Sequence, residues 1–104
     1  MNEAELAKAF ESLSSPVRLK ILLLIVNARK LDKILTSMEI ANILNVSQTN
    51  ASYHLRNLAS SNVTVKHESG TWVYYDICAS TVDYMKEFLK LTPQQPVLDE
   101  KKEC

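Results

Sequence analysis

The chain has 104 residues, with 12 Lys and Arg set against 12 Asp and Glu, and an apolar share of 46%. That length supports one domain with one core, and that apolar share excludes general disorder. A single glycine, Gly70, excludes the GxGxxG and GxxxxGK[ST] loops that cradle phosphates, and with them most nucleotide-binding enzymes.

Residues 2 to 13 place Leu6, Ala7, Phe10 and Leu13 on one side of a helix. Ser14 or Ser15 followed by Pro16 starts a second helix, because a hydroxyl cap and a proline at the first helical position fit together. It runs to about Arg29 and is apolar on most sides, which predicts a central place in the core. After a loop over 30–35, Thr36-Ser37-Met38-Glu39 forms a capping box that opens a short helix to Asn45. Asn45-Val46-Ser47 is a turn, and Ser47 caps a fourth helix to about Ser61. Asn62 suits the left-handed position that follows a helix.

Val63 to His67 alternates as a half-buried strand does, Ser69-Gly70 is the expected hairpin turn, and Trp72 to Ile77 is the return strand. The last helix opens at Ala79-Ser80 with Ser80 as cap and Asp83 in its first turn, and shows Val82, Met85, Phe88 and Leu89 on one face. Residues 92–104, with Pro93 and Pro96, read as a flexible tail. The expected fold is mainly α with a small β-hairpin wing, in the order α-α-α-α-β-β-α, forming one domain over 1–91: a winged helix-turn-helix.

At about 100° per residue the fourth helix separates into two faces. Ala51, Leu55 and Leu58 form an apolar stripe, and Gln48, Thr49, Ser52, Tyr53 and Arg56 form a polar one. The polar set suits base reading in a major groove: Gln pairs with adenine, Ser and Thr adapt, and Arg reaches guanine or phosphate. Charge is distributed to match. Between Ser12 and His67 seven basic residues face only Asp32 and Glu39, while both ends of the chain are acidic.

Three blocks then carry a family likeness. Residues Leu13-Ser14-Ser15-Pro16-Val17-Arg18-Leu19-Lys20-Ile21-Leu22 resemble the opening phrase of the arsenical-resistance repressor (ArsR-type) winged-helix regulators. Ile40 to Leu58 resembles their helix-turn-helix, and Gly70-Thr71-Trp72-Val73-Tyr74-Tyr75 resembles their wing. The resemblance spans roughly residues 5 to 91. It implies a homodimeric, sequence-specific transcriptional regulator of double-stranded DNA, a repressor, with first and last helices at the dimer interface. It points to Gln48, Thr49, Ser52 and Tyr53 as base-facing. On this reading Thr36, Ser37, Ser47, Arg56 and Lys66 hold the DNA backbone, joined at the wing by His67, Ser69, Gly70 and Thr71. The Phe10, Val82, Met85 and Phe88 faces are either protomer core or dimer surface; apolar helices at both ends of so small a chain favour the dimer, which assigns Leu6, Phe10, Val82, Met85, Phe88 and Leu89 to its interface.

Departures from the family pattern also inform. Where many relatives place metal-binding cysteines, at the start of the third helix, this chain has Thr36 and Met38. On the last helix it has Asp83 and Glu87 without a histidine. No metal or cofactor is therefore expected. The family's glycine after the recognition helix is replaced by Ser61-Asn62.

The remaining polar residues fit bland readings. His54 lies at the edge of the apolar stripe, as a hydrogen-bonded, half-buried histidine would. Cys78 reads as a buried, inert thiol, with a redox role for Cys78 and Cys104 as the alternative. Trp72, Tyr74 and Tyr75 could stack on bases, but on a return strand such residues more often pack against the helices, and that is the expectation. No nucleophile, base and orienting group fall together, so no enzymatic activity is expected. The longest apolar run, Ile21 to Val26, falls short of the roughly 18 residues a membrane helix needs. The acidic start is unlike a secretory signal, so the protein is placed in the cytoplasm. Two alternatives stay open: a winged helix that binds proteins instead of DNA, and a thiol-responsive regulator.

Overall fold

Three helices of this nearly glycine-free chain end in the same way. The computed structural model describes residues 1–91 and contains α1 (Glu3–Glu11), α2 (Pro16–Lys30), α3 (Ser37–Leu44), α4 (Gln48–Ser60), β1 (Thr64–Ser69), β2 (Trp72–Ile77) and α5 (Ala79–Lys90). After α2, α3 and α4 the backbone turns left-handed at Asp32 (φ 55°), Asn45 (φ 56°) and Asn62 (φ 64°). At each end two backbone bonds close the helix. Lys33 N donates to Ala28 O (2.8 Å), Val46 N to Ala41 O (3.0 Å) and Val63 N to Leu58 O (3.0 Å), each with the companion bond one residue earlier. This is the Schellman pattern, with Asp or Asn where glycine is commoner, since a short polar side chain tolerates that conformation. Asn62 stands where the sequence placed it.

The helix starts follow their caps. Ser15 Oγ accepts from Arg18 N, and Thr36 and Glu39 form the expected capping box. A second box, between Asn2 and Glu5, had not been expected. The last helix differs from expectation. Cys78 occupies the cap position without a side-chain capping bond to a helix N–H, Ser80 lies inside the helix, and Asp83 falls beyond the first turn. The chain leaves β2 in an extended conformation at Cys78, so the helix starts two residues earlier than the hydroxyl cap suggested.

α2 is also less central than its composition implied. Ile21, Ile25 and Ala28 are buried, but Leu19 and Leu23 are 45% and 61% exposed. The helix packs on α4 and β2 along one side only. The core joins Leu6 and Ala9 of α1, Ile21 and Ile25, Ile40, Leu55 and Leu58, Val63, Tyr75, and Met85 of α5.

The wing is an antiparallel pair running from Thr64↔Ile77 to Ser69↔Trp72. Its two loop residues are therefore Gly70 and Thr71, one position later than Ser69-Gly70. Gly70 has φ +61°, and Thr71 is not left-handed, as a type II′ turn requires. Val63, expected in the strand, is instead fully buried at the junction with α4, and its carbonyl accepts from Cys78 N at 2.9 Å. A further bridge pairs Thr36 with Tyr74, so the segment entering α3 adds a third edge to the hairpin. Residues 92–104, with the expected tail and Cys104, lie outside the described residues.

Candidate nucleic-acid interface

α3 and α4 are separated by a three-residue turn. Asn45 supplies the left-handed bend, and Ser47 caps α4 by accepting from Asn50 N at 3.0 Å. Ala51, Leu55 and Leu58 fix α4 in the core, each with no exposed surface. The opposite side is open: Gln48, Thr49, Tyr53 and Arg56 are exposed and Ser52 is half-buried. The two faces read from the sequence are therefore the two faces of the folded helix.

Several predicted residues meet at the start of α4. Thr36, Ser37, Gln48 and Thr71 line one surface recess with Met38, Trp72 and Val73. Gln48 Nε2 donates to Ser37 Oγ at 3.2 Å. Thr36 is less available than expected. Its hydroxyl accepts from Glu39 N and donates to Glu39 Oε1, and its backbone pairs with Tyr74. Trp72 does not pack against the helices. It is 62% exposed beside the wing turn, and Met38 is 60% exposed across the recess. An outward Trp72 matches the base-stacking alternative; Met38 was passed over, though its place at a helix start could have singled it out. Tyr75 does pack inward, at 5% exposure, and Tyr74 is half-buried.

On the wing, Lys66, His67, Ser69, Gly70 and Thr71 are all exposed. Lys66 pairs with Glu68 at 3.3 Å, a solvent-screened contact that leaves its charge accessible. His67 lies within β1, stacked on Tyr74 with ring centroids 5.1 Å apart.

Behind α4 stands Arg18, which the sequence reading had passed over. Its Nε donates to Ser12 O at 2.6 Å and its Nη1 lies 3.2 Å from His54 Nδ1. His54 is half-buried and hydrogen-bonded, as expected, and its ring meets Tyr53 edge-on at 5.1 Å. Burial, and then the Arg18 charge, hold its pKa below the usual histidine value.

The expected dimer residues divide. Leu6 and Met85 already sit in the core of the protomer, so they have little surface to offer a partner. Phe10 and Val82 are half-buried, while Phe88 and Leu89 are 46% and 56% exposed. The rings of Phe10 and Phe88 meet at a tilt of 56° with centroids 5.9 Å apart, joining α1 to α5. Tyr84 and Leu91 extend the same apolar surface at 44% and 79% exposure.

Cys78 is half-buried, not fully buried as an inert core thiol would be. Thr81 Oγ1 donates to its sulfur at 3.4 Å and the Ser80 hydroxyl lies 3.5 Å away. Those hydroxyls lower the thiol pKa against the opposing effect of burial. Among the described residues no three His, Cys, Asp or Glu side chains gather closely enough to hold a metal, and no helix is long and apolar enough to cross a membrane.

Comparison with known proteins agrees with this geometry. The family model described as a helix-turn-helix domain matches residues 13–67. The arsenical resistance operon repressor of Bacillus subtilis is 41% identical over 39 residues, which cover 38% of this chain and only 37% of that protein. Among solved structures, HlyU from Vibrio cholerae is 25% identical, covering 91% of this chain and all of its own, with a TM-score of 0.67. An ArsR-like transcriptional regulator from Rhodococcus sp. is 24% identical, with 84% and 77% covered and a TM-score of 0.70. The homodimeric winged helix-turn-helix DNA-binding domain from Mycobacterium bovis is 24% identical, with 85% and 77% covered and a TM-score of 0.68. The winged helix-turn-helix fold and the ArsR-type resemblance are both borne out.

Proposed function

This chain belongs to the helix-turn-helix domain family, and from that premise we propose that it is an ArsR-type transcriptional regulator that binds double-stranded DNA as a homodimer. The observation that carries the reading is the two-sided character of α4. One face is wholly committed to the core, and the other presents amide, hydroxyl, phenol and guanidinium groups to solvent. A helix held rigidly on one side and bare on the other fits a major groove, where such groups read base edges. Gln48, Thr49, Ser52 and Tyr53 face bases. Ser37, Ser47, Arg56, Lys66 and the wing residues His67, Ser69, Gly70 and Thr71 face the backbone. Thr36, engaged in its capping box, contributes to placing Ser37 and the wing.

The α1–α5 surface around Phe10, Val82, Phe88 and Leu89 is the dimer contact, and its two-fold axis sets half-sites about one helical turn apart. The partial match to an operon repressor supports repression as the outcome of operator binding. A cytoplasmic location fits this role, which calls for neither catalysis nor a metal.

Fluorescence anisotropy against a random duplex at low salt tests the proposal. Binding in the micromolar range or tighter, weakening steeply as salt rises, is expected. No binding at low salt would overturn it and favour a protein-binding winged helix.

A further inference from the structure

The bond between Gln48 and Ser37 has a consequence for which base is read. A glutamine amide offers two N–H donors and one carbonyl acceptor. One N–H of Gln48 is taken by Ser37 Oγ at 3.2 Å. What remains is one N–H and Oε1, the combination that adenine requires with its N7 acceptor and N6 donor. Guanine presents two acceptors, N7 and O6, and would need both N–H groups at once. The bond to Ser37 therefore orients the side chain and also removes the donor that guanine would need.

The surroundings match the other half of the base pair. Met38 and Trp72 line the same recess, 60% and 62% exposed. Two large apolar side chains therefore stand open in the same recess as the Gln48 amide, within reach of whatever that amide contacts. Thymine carries a 5-methyl group in the major groove next to the adenine edge, and apolar contact with that methyl distinguishes it from other pyrimidines.

From these observations we propose that Ser37 is a positioning residue for Gln48 and that the recess formed with Met38 and Trp72 reads a single A·T pair in each half-site. The inference rests on the DNA-binding reading and narrows it. Ser37 is the first residue of α3 while Thr36 does the capping, so Ser37→Ala leaves the helix start intact, which a melting curve verifies.

The test has two steps. The wild-type full chain first selects sequences from a random duplex pool. Its affinity, and those of Ser37→Ala, Ser37→Thr and Met38→Ser, are then measured on the selected duplex, on one with that A·T pair changed to G·C, and on one with its thymine replaced by deoxyuridine. The wild type should prefer adenine over guanine at one position by about tenfold, in the range of a bidentate base contact. Ser37→Ala should reduce that preference to about twofold or less at that position alone, and Ser37→Thr should retain it. Deoxyuridine should weaken wild-type binding about two- to fourfold, the upper figure being full loss of one buried methyl contact, and Met38→Ser should remove the difference. An unchanged adenine preference in Ser37→Ala overturns the positioning role, and indifference to deoxyuridine overturns the role of the recess. Should the wild type select no duplex, the DNA-binding reading itself falls, an outcome distinct from either.

Discussion

Arg18 and His54 meet at 3.2 Å, guanidinium Nη1 to imidazole Nδ1, across the junction of α2 and α4. Arginine only donates, so Nδ1 is the acceptor and the histidine is neutral, with its proton on Nε2. The second anchor of Arg18, on Ser12 O at 2.6 Å, ties the end of α1 to the same junction. The candidate recognition helix is thus held from behind by a contact that lasts only while His54 is uncharged.

That contact predicts a pH dependence. Burial first, and the Arg18 charge second, depress the His54 pKa below its ordinary value of about 6.5. The unfolded chain takes up this proton at higher pH than the folded one, so stability rises with pH. The contribution is complete above the ordinary value and is lost as pH falls through it toward the depressed one. His54→Asn keeps an acceptor but cannot titrate. Its melting temperature should fall less than that of the wild type between about pH 7.5 and pH 5. Equal falls would refute the assignment.

The two classes of proposed DNA contact should separate in binding assays. Gln48→Ala is expected to cost about 1–3 kcal/mol on the cognate site and to relax specificity there. Lys66→Ala should weaken binding to every sequence and lower the salt slope by about one. Equal losses on cognate and random duplex for Gln48→Ala would remove it from the base-reading set.

Phe88 tests the dimer surface. It is 46% exposed on α5 and its ring lies tilted against that of Phe10. Phe88→Lys places a charge in an apolar contact, and sedimentation should show the dimer replaced by a monomer. A variant that keeps the dimer mass would move the interface elsewhere.

The left-handed residue at the end of α4 offers a backbone test. Asn62 has φ 64°. Asn62→Gly should be neutral or slightly stabilising, whereas Asn62→Ala should destabilise by about 1 kcal/mol, because a β-carbon resists that conformation. Urea unfolding of the three proteins decides the ordering, and an alanine variant as stable as the wild type would contradict it.

Cys78 should react as an activated thiol. The Ser80 and Thr81 hydroxyls lower its pKa, which raises the thiolate fraction at neutral pH. In a Cys104→Ser background, Thr81→Val combined with Ser80→Ala should slow alkylation by iodoacetamide. An unchanged rate would show that those hydroxyls do not govern the sulfur.

Much of this architecture could be read from local patterns. The Thr36–Glu39 box, the Ser47 cap, the bend at Asn62 and both faces of α4 depend on residues within a few positions of one another, and all appear in the folded chain. The features that sequence missed are tertiary. Arg18 reaches His54 across 36 positions, and Thr36 finds Tyr74 only once the hairpin has folded back. Trp72 was expected inside because aromatic residues on strands usually pack, but β2 turns that position toward the groove beside the turn. Leu6 and Met85 show the same limit. An apolar helix face does not reveal whether its own chain or a second one covers it.

The pairing of Thr36 with Tyr74 gives the protomer a fixed gauge. One residue begins the helix that carries Ser37 and also clasps the strand that carries the wing, so the gap between these two elements is built in before any duplex arrives. Lengthening the 31–35 connection would not widen that gap, because the clasp lies downstream of it. A narrower or wider groove must then adapt to the protein, and the bending stiffness of an operator should weigh in its affinity alongside its letters.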